Sequence, residues 1–385
     1  MKILFSSLGS HGHTYPLIPL AIAAREQGHE VVYVTSETFA NVLKPHDVEH
    51  VTGGLDIGAA FAAATTSPTA ALGDARPHDV DPKQIARMFG YVMPRAFATD
   101  LAPVIADRRP DLVVHEVANI GAGLAAQVAG VPALCHGFGR MWVGEEVLTD
   151  DAVALMRQVA EEVGGRVPDE HPMLLGNPYL DVCPPSVQEP GFLATANRVE
   201  LRPVPFAEPG ELPAWVTGHR EPLVYLTLGT AFGDAGVLRA AIAGLAALGA
   251  RVLVAAGPTV STDALGEVPD NVVVLPWVPQ ADLLPHVDLV VHHGGSGTTM
   301  GSFGAGVPQL VLPQGADQFS NAAAVTAAGL GDQLLGEQVT AEAVAEGARR
   351  LLADEAVRDA ARAIAAEVAA MPSPHEVAAT LPRYA

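Results

Sequence analysis

The strongest chemical signal in the sequence is the stretch His-His-Gly-Gly-Ser-Gly-Thr-Thr at positions 292–299, which follows a strand pattern and leads into a helical pattern reaching Ala305. Glycines in such a turn let a ligand approach the backbone, and the helix N-terminus offers unpaired N–H groups with a partial positive charge. This combination predicts an anion site, most simply for a diphosphate. A glycine-rich turn that only packs the helix on the strand is the alternative. A nicotinamide dinucleotide site is disfavoured, because Asp317 follows a Pro-Gln-Gly-Ala segment instead of ending the next strand.

Two other features of the same half of the chain point to a nucleotide. Leu228-Gly229-Thr230 ends an earlier strand, so both glycine turns are expected to face one pair of phosphates. Trp277, one of three tryptophans, lies at a strand end between two prolines, where its ring can stack on a flat base. Ordinary packing between elements is the alternative for this tryptophan.

His11 and His13 lie between the first strand and the first helix, in the segment Gly-Ser-His-Gly-His-Thr-Tyr-Pro. A histidine at that place suits general base catalysis, whereas a helix cap or a satisfied core residue is the structural alternative. Neither this pair nor the pair at 292–293 comes with a third ligand, so we expect no metal site. Asp79 and Asp81 resemble a carboxylate pair for a metal diphosphate, but they lie in a proline-containing loop and are interpreted as a helix start.

The elements that position these residues alternate between strand and helix in the first half of the chain. The patterns predict strands over residues 2–8, 30–34, 111–114 and 131–135, and helices over 16–27 and 120–129. Such βαβ units imply parallel strands. Residues 52–81 and 164–190 are predicted to be irregular, the second stretch following a helix over 145–163.

The alternation resumes in the second half, after a proline-rich stretch. Strands are predicted over residues 223–228, 251–255, 272–275, 288–292 and 309–312. The expected fold class is therefore α/β, with two doubly wound, Rossmann-like domains facing a cleft. The expected boundaries are a first domain over 1–200, a linker over 201–220, a second domain over 221–371, and a C-terminal tail helix over 372–385 that returns to the first domain.

Composition limits the class of protein and the kinds of partner. With 385 residues, of which 49% are hydrophobic and 17% charged, the chain can build two folded domains and is too apolar to be disordered. Its 43 acidic and 22 basic residues give a formal net charge of −21, which repels nucleic acids and anionic membrane surfaces. Cys135 and Cys183 are too few for a disulfide framework, and no apolar run is long enough for a membrane span. We therefore expect a cytoplasmic protein that binds neither nucleic acid nor membrane.

Taken together, the motifs resemble those of the GT-B inverting glycosyltransferases, a group that includes plant and bacterial natural-product enzymes. The similarity is closest to the actinobacterial antibiotic glycosyltransferases that act on macrolides, enediynes and aromatic polyketides, and it covers nearly the whole chain. The matching stretches are Gly12-His13-x-x-Pro16-Leu17, Trp277-Val278-Pro279-Gln280, His293-Gly294-Gly295, Gly306-Val307-Pro308 and Asp317-Gln318.

The resemblance implies that residues 1–200 bind the acceptor and residues 221–371 bind the nucleotide-sugar donor. By position, His13 matches the family's general base, and Glu116 matches the carboxylate that orients it, where many relatives have Asp. The positions matching the donor site are Thr230, Trp277, Val278, Gln280, His293, Gly295, Ser296, Gly297, Thr298, Asp317 and Gln318. The acceptor contacts assigned in the same way are His11, His136, Met141 and Trp142, with His136 the next candidate for the base.

The same resemblance assigns roles within the donor site. The diphosphate is held by the glycine loop with His293 and Thr298, opposite Thr230, while Trp277 stacks on the base. Asp317 and Gln318 bind sugar hydroxyls. The helix dipole and His293 stabilise the leaving diphosphate, so no cofactor and no obligatory metal are expected besides the sugar nucleotide.

One position departs from the pattern of UDP-sugar enzymes. Those enzymes have a Glu that grips both ribose hydroxyls, and the corresponding residue here is Gly301. A deoxyribose has no 2′ hydroxyl to grip, so the loss resembles the subgroup that uses dTDP-activated deoxysugars.

The predicted function is therefore the inverting, metal-independent transfer of a sugar, a deoxysugar from dTDP, to a hydroxyl of a hydrophobic natural product. A GT-B sugar-nucleotide epimerase would share the nucleotide site but has no need for the His13 motif. A non-catalytic helper protein would lack either the base or the diphosphate site. The identity of the aglycone and of the sugar, the hydroxyl attacked, and whether the chain forms a homodimer are left open by the sequence.

Overall fold

Seven strands in the first half of the chain form one parallel sheet. A computed structural model describes residues 1–65, 81–141, 149–208, 210–230 and 233–385. The strands are β1 Lys2–Ser6, β2 Glu30–Thr35, β3 Glu49–Thr52, β4 Leu112–Glu116, β5 Ala133–His136, β6 Tyr179–Asp181 and β7 Arg198–Glu200. Their order across the sheet is β3-β2-β1-β4-β5-β6-β7. The winding direction reverses between the neighbours β1 and β4, and ligand sites of open parallel sheets lie at the carboxyl ends of such strands.

Helices follow the strands of this sheet and cover it. They are α1 His11–Thr14, α2 Ile18–Glu26, α3 Ala40–Leu43, α4 Ile57–Ala64, α5 Pro82–Arg87, α6 Met93–Arg108, α7 Ile120–Ala129, α8 Asp150–Val163 and α9 Pro190–Thr195. The ends of α8 show local causes: the Thr149 hydroxyl accepts from the Ala152 N–H at its start, and Gly164 adopts a positive φ of 83° at its end. The core beneath the helices is built from apolar side chains such as Leu4, Phe97 and Val113.

Six strands of the second half form a second parallel sheet. They are β8 Leu223–Thr227, β9 Arg251–Ala255, β10 Val272–Leu275, β11 Leu289–His292, β12 Gln309–Val311 and β13 Gly331–Gln333, in the order β10-β9-β8-β11-β12-β13. The helices are α10 Ala235–Ala246, α11 Gln280–Leu283, α12 Ser296–Ala305, α13 Gln318–Ala327, α14 Ala341–Ala353 and α15 Glu355–Ala370. Here the reversal falls between β8 and β11, which pair in parallel. Both sheets are therefore doubly wound.

The chain divides into two compact units, and the first unit includes the C-terminal residues of the chain. One unit includes the described residues up to Val204 together with Met371–Ala385, and the other includes Pro205–Ala370. The last helix, α16 Pro374–Ala378, packs against α2, and the Gln27 side chain donates to the backbone oxygen of His375 at 2.6 Å. Leu381 beyond it is fully buried.

Several elements differ from those predicted. The helix expected over 16–27 starts only at Ile18, because a short α1 and a 3₁₀ turn at Tyr15–Leu17 precede it. The stretch expected to be irregular from residue 52 contains α4, whose alanine-rich sequence has no amphipathic spacing but is capped by Asp56. The second irregular stretch contains the short strand β6.

The described part of the helix predicted over 145–163 begins at Asp150, and residues 145–148 lie outside the described residues. Asp81 starts α5, as predicted, by accepting from the Lys83 N–H at 2.9 Å, whereas Asp79 lies outside the described residues. None of the helices in the described ranges combines the length and the apolar character needed to cross a membrane.

Candidate active site

His13 and Glu116 come together at the winding reversal of the first sheet. His13 lies in α1, directly after β1, and Glu116 is the last residue of β4, the strand next to β1. His13 Nδ1 is 3.2 Å from Glu116 Oε2, at side-chain exposures of 17% and 0%. Glu116 Oε1 accepts from the Ala118 N–H at 2.6 Å, which fixes the rotamer of the carboxylate. A proton on Nδ1, facing the carboxylate, puts the lone pair of the imidazole on Nε2.

A buried hydroxyl network beneath α1 supports this pair, and no sequence pattern predicted it. The Tyr33 hydroxyl lies 3.2 Å from the backbone oxygen of Thr14 and 3.1 Å from Ser7 Oγ, and its single proton is donated to one of them. Ser7 Oγ and Thr14 Oγ1 are 3.0 Å apart, and Thr14 Oγ1 donates to the backbone oxygen of Leu8 at 2.9 Å. Burial raises the pKa of Tyr33, so its hydroxyl stays protonated and remains a donor. The network holds the residue next to His13.

The residues assigned to the acceptor lie in different surroundings. The His11 ring packs edge-on against Tyr15 and Phe39, with centroids 5.0 and 5.4 Å away. Met141 is buried, and its N–H donates to Gln188 Oε1 at 2.9 Å. Trp142 lies outside the described residues.

His136, assigned to acceptor contact and as the next candidate base, is not exposed in this structure. His136 ends β5 and is fully buried, because both faces of a central parallel strand are covered. Its Nδ1 is 2.5 Å from the backbone oxygen of Gly137, and burial lowers its pKa to about 4. Phe138, two residues on, instead contacts the His13 ring edge-on at 4.8 Å and was not predicted.

His293 follows β11 at the winding reversal of the second sheet, packed between two glycines. A Cβ on Gly229 or Gly295 would come within 2.5 or 2.3 Å of His293 Nε2, so the ring needs glycine at both positions. Burial lowers the pKa of His293 to about 4. The ring is therefore neutral at neutral pH, and it can offer an N–H donor to an anion but no full positive charge. Thr230 follows Gly229 and is half-buried.

The N-terminus of α12 lies directly after His293. Gly295 is the N-cap and provides no side chain to pair with the first N–H groups of this helix. Gly297 is exposed, and a Cβ there would meet no heavy atom within 4 Å. The first turn of α12 thus combines unpaired donors with open space, which is the chemistry an anion requires.

Trp277 and the neighbouring residues of the predicted donor site differ in how exposed their side chains are. Trp277 is 41% exposed, and the Thr298 hydroxyl donates to Gln280 Oε1 at 3.0 Å. Val278 was assigned to the donor, but its side chain is 3% exposed within a core cluster, so only its backbone can reach a ligand. A Cβ on Gly301 would lie 2.8 Å from Leu284 Cδ1 and 3.6 Å from Gln280 Nε2.

Asp317 and Gln318, predicted to bind sugar hydroxyls, accept hydrogen bonds from residues around the start of α13. Asp317 Oδ2 accepts from Ser296 Oγ at 2.7 Å and from Asn321 Nδ2 at 3.0 Å. Gln318 Oε1 accepts from the N–H groups of Gln314 and Gly315 at 2.7 and 3.1 Å. Asn321 is buried and was missed by the sequence analysis, although it lies one helical turn after Asp317. Across the ranges that the structure describes, no three His, Cys, Asp or Glu side chains gather as metal ligands.

Two doubly wound parallel sheets, each with polar side chains at its winding reversal, are the architecture of the GT-B glycosyltransferases. The crystal structure of glycosyltransferase SsfS6 from Streptomyces sp. SF2575, complexed with thymidine diphosphate, aligns with 100% of this chain and 99% of its own, with a TM-score of 0.79 at 27% identity. The family described as "Erythromycin biosynthesis protein CIII-like, C-terminal domain" matches residues 239–383.

Curated relatives extend this match to the first half of the chain. Elloramycin glycosyltransferase ElmGT of Streptomyces olivaceus is 33% identical over 99% of this chain and 97% of its own. L-demethylnoviosyl transferase of Streptomyces niveus is 32% identical over 86% of this chain and 84% of its own. The chain belongs to the family of actinobacterial antibiotic glycosyltransferases. Membership favours a transferase over the epimerase and helper alternatives.

Proposed function

We propose that this glycosyltransferase moves a deoxysugar from dTDP, with inversion, to a hydroxyl of a hydrophobic natural product. The observation that carries the proposal is the contact of 3.2 Å between His13 and the buried Glu116. The glycine-bordered turn at His293, to which we assign the diphosphate, supports it. A base held by a buried carboxylate has little purpose in a protein that only binds a nucleotide.

In the proposed reaction, His13 Nε2 takes the proton of the acceptor hydroxyl while the hydroxyl oxygen forms a bond to the anomeric carbon. The bond between that carbon and the diphosphate oxygen breaks, and its electron pair leaves with the diphosphate. Attack opposite the leaving group inverts the anomeric centre. Glu116 keeps the Nδ1 proton in place and stabilises the imidazolium that forms.

The leaving diphosphate is assigned to the first turn of α12, with His293, Gly295, Gly297 and Thr298. Its negative charge grows as the bond breaks, and backbone N–H groups at a helix N-terminus are already oriented to accept it. The neutral His293 adds an N–H donor. Trp277 is assigned to stacking on the thymine, and Asp317 and Gln318 to sugar hydroxyls.

We expect an excess of EDTA to leave the rate of transfer largely unchanged, because the leaving group is assigned to a helix N-terminus and a histidine. The measurement is dTDP release with and without chelator, after dialysis to remove bound ions. Complete loss of activity, restored by a divalent cation, would contradict this assignment and require carboxylate ligands for a metal.

We expect dTDP to bind at least as tightly as UDP. Gly301 supplies no carboxylate to pair with a 2′ hydroxyl, and we expect the thymine methyl to gain apolar contact beside Trp277. The measurement is calorimetric binding of both nucleotides to the unmodified protein, since Gly301→Glu would have to displace the buried Leu284. A clear preference for UDP would remove the deoxynucleotide assignment.

The whole proposal is tested by incubating the protein with a dTDP-deoxysugar and a panel of hydrophobic hydroxylated aglycones, followed by mass spectrometry. We expect dTDP release that depends on an aglycone, together with a glycoside whose anomeric configuration is opposite to that of the donor. Release that is independent of every aglycone, or an altered sugar still attached to dTDP, would contradict the transferase mechanism. Cys135 and Cys183 are buried and are not joined in a disulfide, which suits the reducing cytoplasm that we propose as the site of the reaction.

A further inference from the structure

Gly294 joins β11 to α12 and adopts a backbone conformation that only glycine accommodates here. Its φ is +90°, and a Cβ would come within 2.8 Å of Val311 Cγ1 and 2.9 Å of the Gln318 backbone oxygen. The two peptide groups on either side of Gly294 lead into the loop assigned to the diphosphate. Because each peptide is planar, fixing the C=O of Gly294 also fixes the direction of the Gly295 N–H.

The side chain of His292 accepts a hydrogen bond from the N–H of Gly294. The Gly294 N–H donates to His292 Nδ1 at 3.1 Å, and His292 Nε2 is 2.9 Å from Gln309 Oε1. Because Nδ1 has to accept, the ring proton sits on Nε2 and is donated to Gln309. His292 is fully buried, and burial with the nearby His293 lowers its pKa to about 3. Both ring nitrogens are thus used inside the protein, which also leaves none for a metal.

The side chain of Asn321 donates a hydrogen bond to the C=O of Gly294. Its Nδ2 donates to the Gly294 oxygen at 2.9 Å and to Asp317 Oδ2 at 3.0 Å, with Ser296 Oγ at 3.2 Å. Asn321 lies in α13 and is buried, so this contact ties the start of α12 to the start of α13. A buried amide with such partners is well ordered, because leaving any of these groups unpaired is costly.

We propose that His292 and Asn321 are positioning residues that clamp Gly294 from both sides and preset the diphosphate loop before the donor binds. The proposal rests on the proposed function and deepens it, since neither side chain has to touch the ligand. A loop that is already ordered loses little entropy on binding, so the clamp contributes to donor affinity through preorganisation.

Two substitutions of His292 distinguish the loss of its hydrogen bond to Gly294 from the general effect of changing a buried side chain. In His292→Asn, the carboxamide oxygen can occupy the place of Nδ1 and keep the acceptor for the Gly294 N–H. In His292→Gln, the longer side chain puts its polar group near the place of Nε2, and the Gly294 N–H loses its partner. We expect calorimetry to show roughly tenfold weaker dTDP binding for His292→Gln and little change for His292→Asn, because one buried donor is left unpaired only in the first.

Asn321→Ala and Asn271→Ala form the matched pair on the other side of the clamp. Asn271 lies in the same unit, and its Nδ2 donates to the backbone oxygens of Ala246 and Ala250 at 3.2 and 2.9 Å. Both substitutions remove an asparagine that bonds to backbone, and we expect both to lower Tm. Only Asn321→Ala is expected to weaken dTDP binding and to raise the KM for the sugar nucleotide, leaving the KM for the acceptor unchanged.

The clamp is overturned if His292→Gln and His292→Asn bind dTDP equally well, or if Asn271→Ala weakens binding as much as Asn321→Ala. If the unmodified protein does not bind dTDP, the proposed function fails instead. In that case, hydrogen exchange in the unliganded protein still tests whether His292 orders the loop. Backbone amides of residues 293–297 must exchange faster in His292→Gln than in His292→Asn, and equal rates would overturn it.

Discussion

Replacing His13 by alanine is expected to lower kcat by roughly 10²- to 10⁴-fold, the range that follows loss of a general base. The imidazole is the group paired with the buried Glu116, and alanine leaves the acceptor hydroxyl without a proton acceptor. The affinity for dTDP, measured by calorimetry, should stay near that of the parent, because the nucleotide is assigned to the other compact unit.

Glu116→Gln is the control for this variant. Its carboxamide oxygen can still accept from the Ala118 N–H, so the local fold is retained while the charge that stabilises an imidazolium is lost. We expect a smaller decrease in kcat than for His13→Ala. Near-parental turnover of His13→Ala would show that another group is the base, and the buried His136 is poorly placed to replace it.

Replacing His293 by leucine is expected to lower kcat by roughly 10²-fold or more, the size of effect seen when a donor to a developing oxyanion is removed. Leucine fills similar space between Gly229 and Gly295 but offers no N–H to the leaving diphosphate. The measurement is steady-state transfer at saturating donor, with Kd for dTDP determined in parallel.

His293→Gln provides the matched comparison. The glutamine carboxamide can place an N–H near the former Nε2, so this variant should retain more activity than His293→Leu. Equal losses in the two variants would mean that the ring matters through packing against the glycines. In that case the helix N-terminus alone would stabilise the leaving group.

The sequence was sufficient to predict the two doubly wound sheets, because long apolar runs alternate with helical spacing. It also predicted that His13 and His293 follow strands. It did not reveal Tyr33 or Asn321, since the contacts that matter join residues far apart in sequence. Tyr33 contacts Ser7 and Thr14, 26 and 19 residues away, and Asn321 donates to the Gly294 oxygen, 27 residues away. Short strands such as β6 carry too few residues for a period to be visible.

Two assigned site residues, His136 and Val278, illustrate a different limit. His136 ends a central strand whose two faces are both covered, and Val278 lies in the loop after β10, so a position near a strand end does not say whether the side chain is exposed. Val278 takes the core side while its neighbour Trp277 is exposed. Proximity to a strand end therefore does not predict which side chains are exposed enough to contact a ligand.

The return of α16 to α2 has a consequence for how the protein is made. The first unit is interrupted in sequence by residues 205–370 of the second, so it cannot be completed before that stretch has been synthesised. The second unit is synthesised and can fold while α2 still lacks its covering helix. Val377, Ala378 and Leu381, all buried in the finished protein, are added only after the second unit. Cotranslational folding thus leaves an apolar surface on the nascent first unit until synthesis reaches these residues, and a premature stop just before them would expose it permanently.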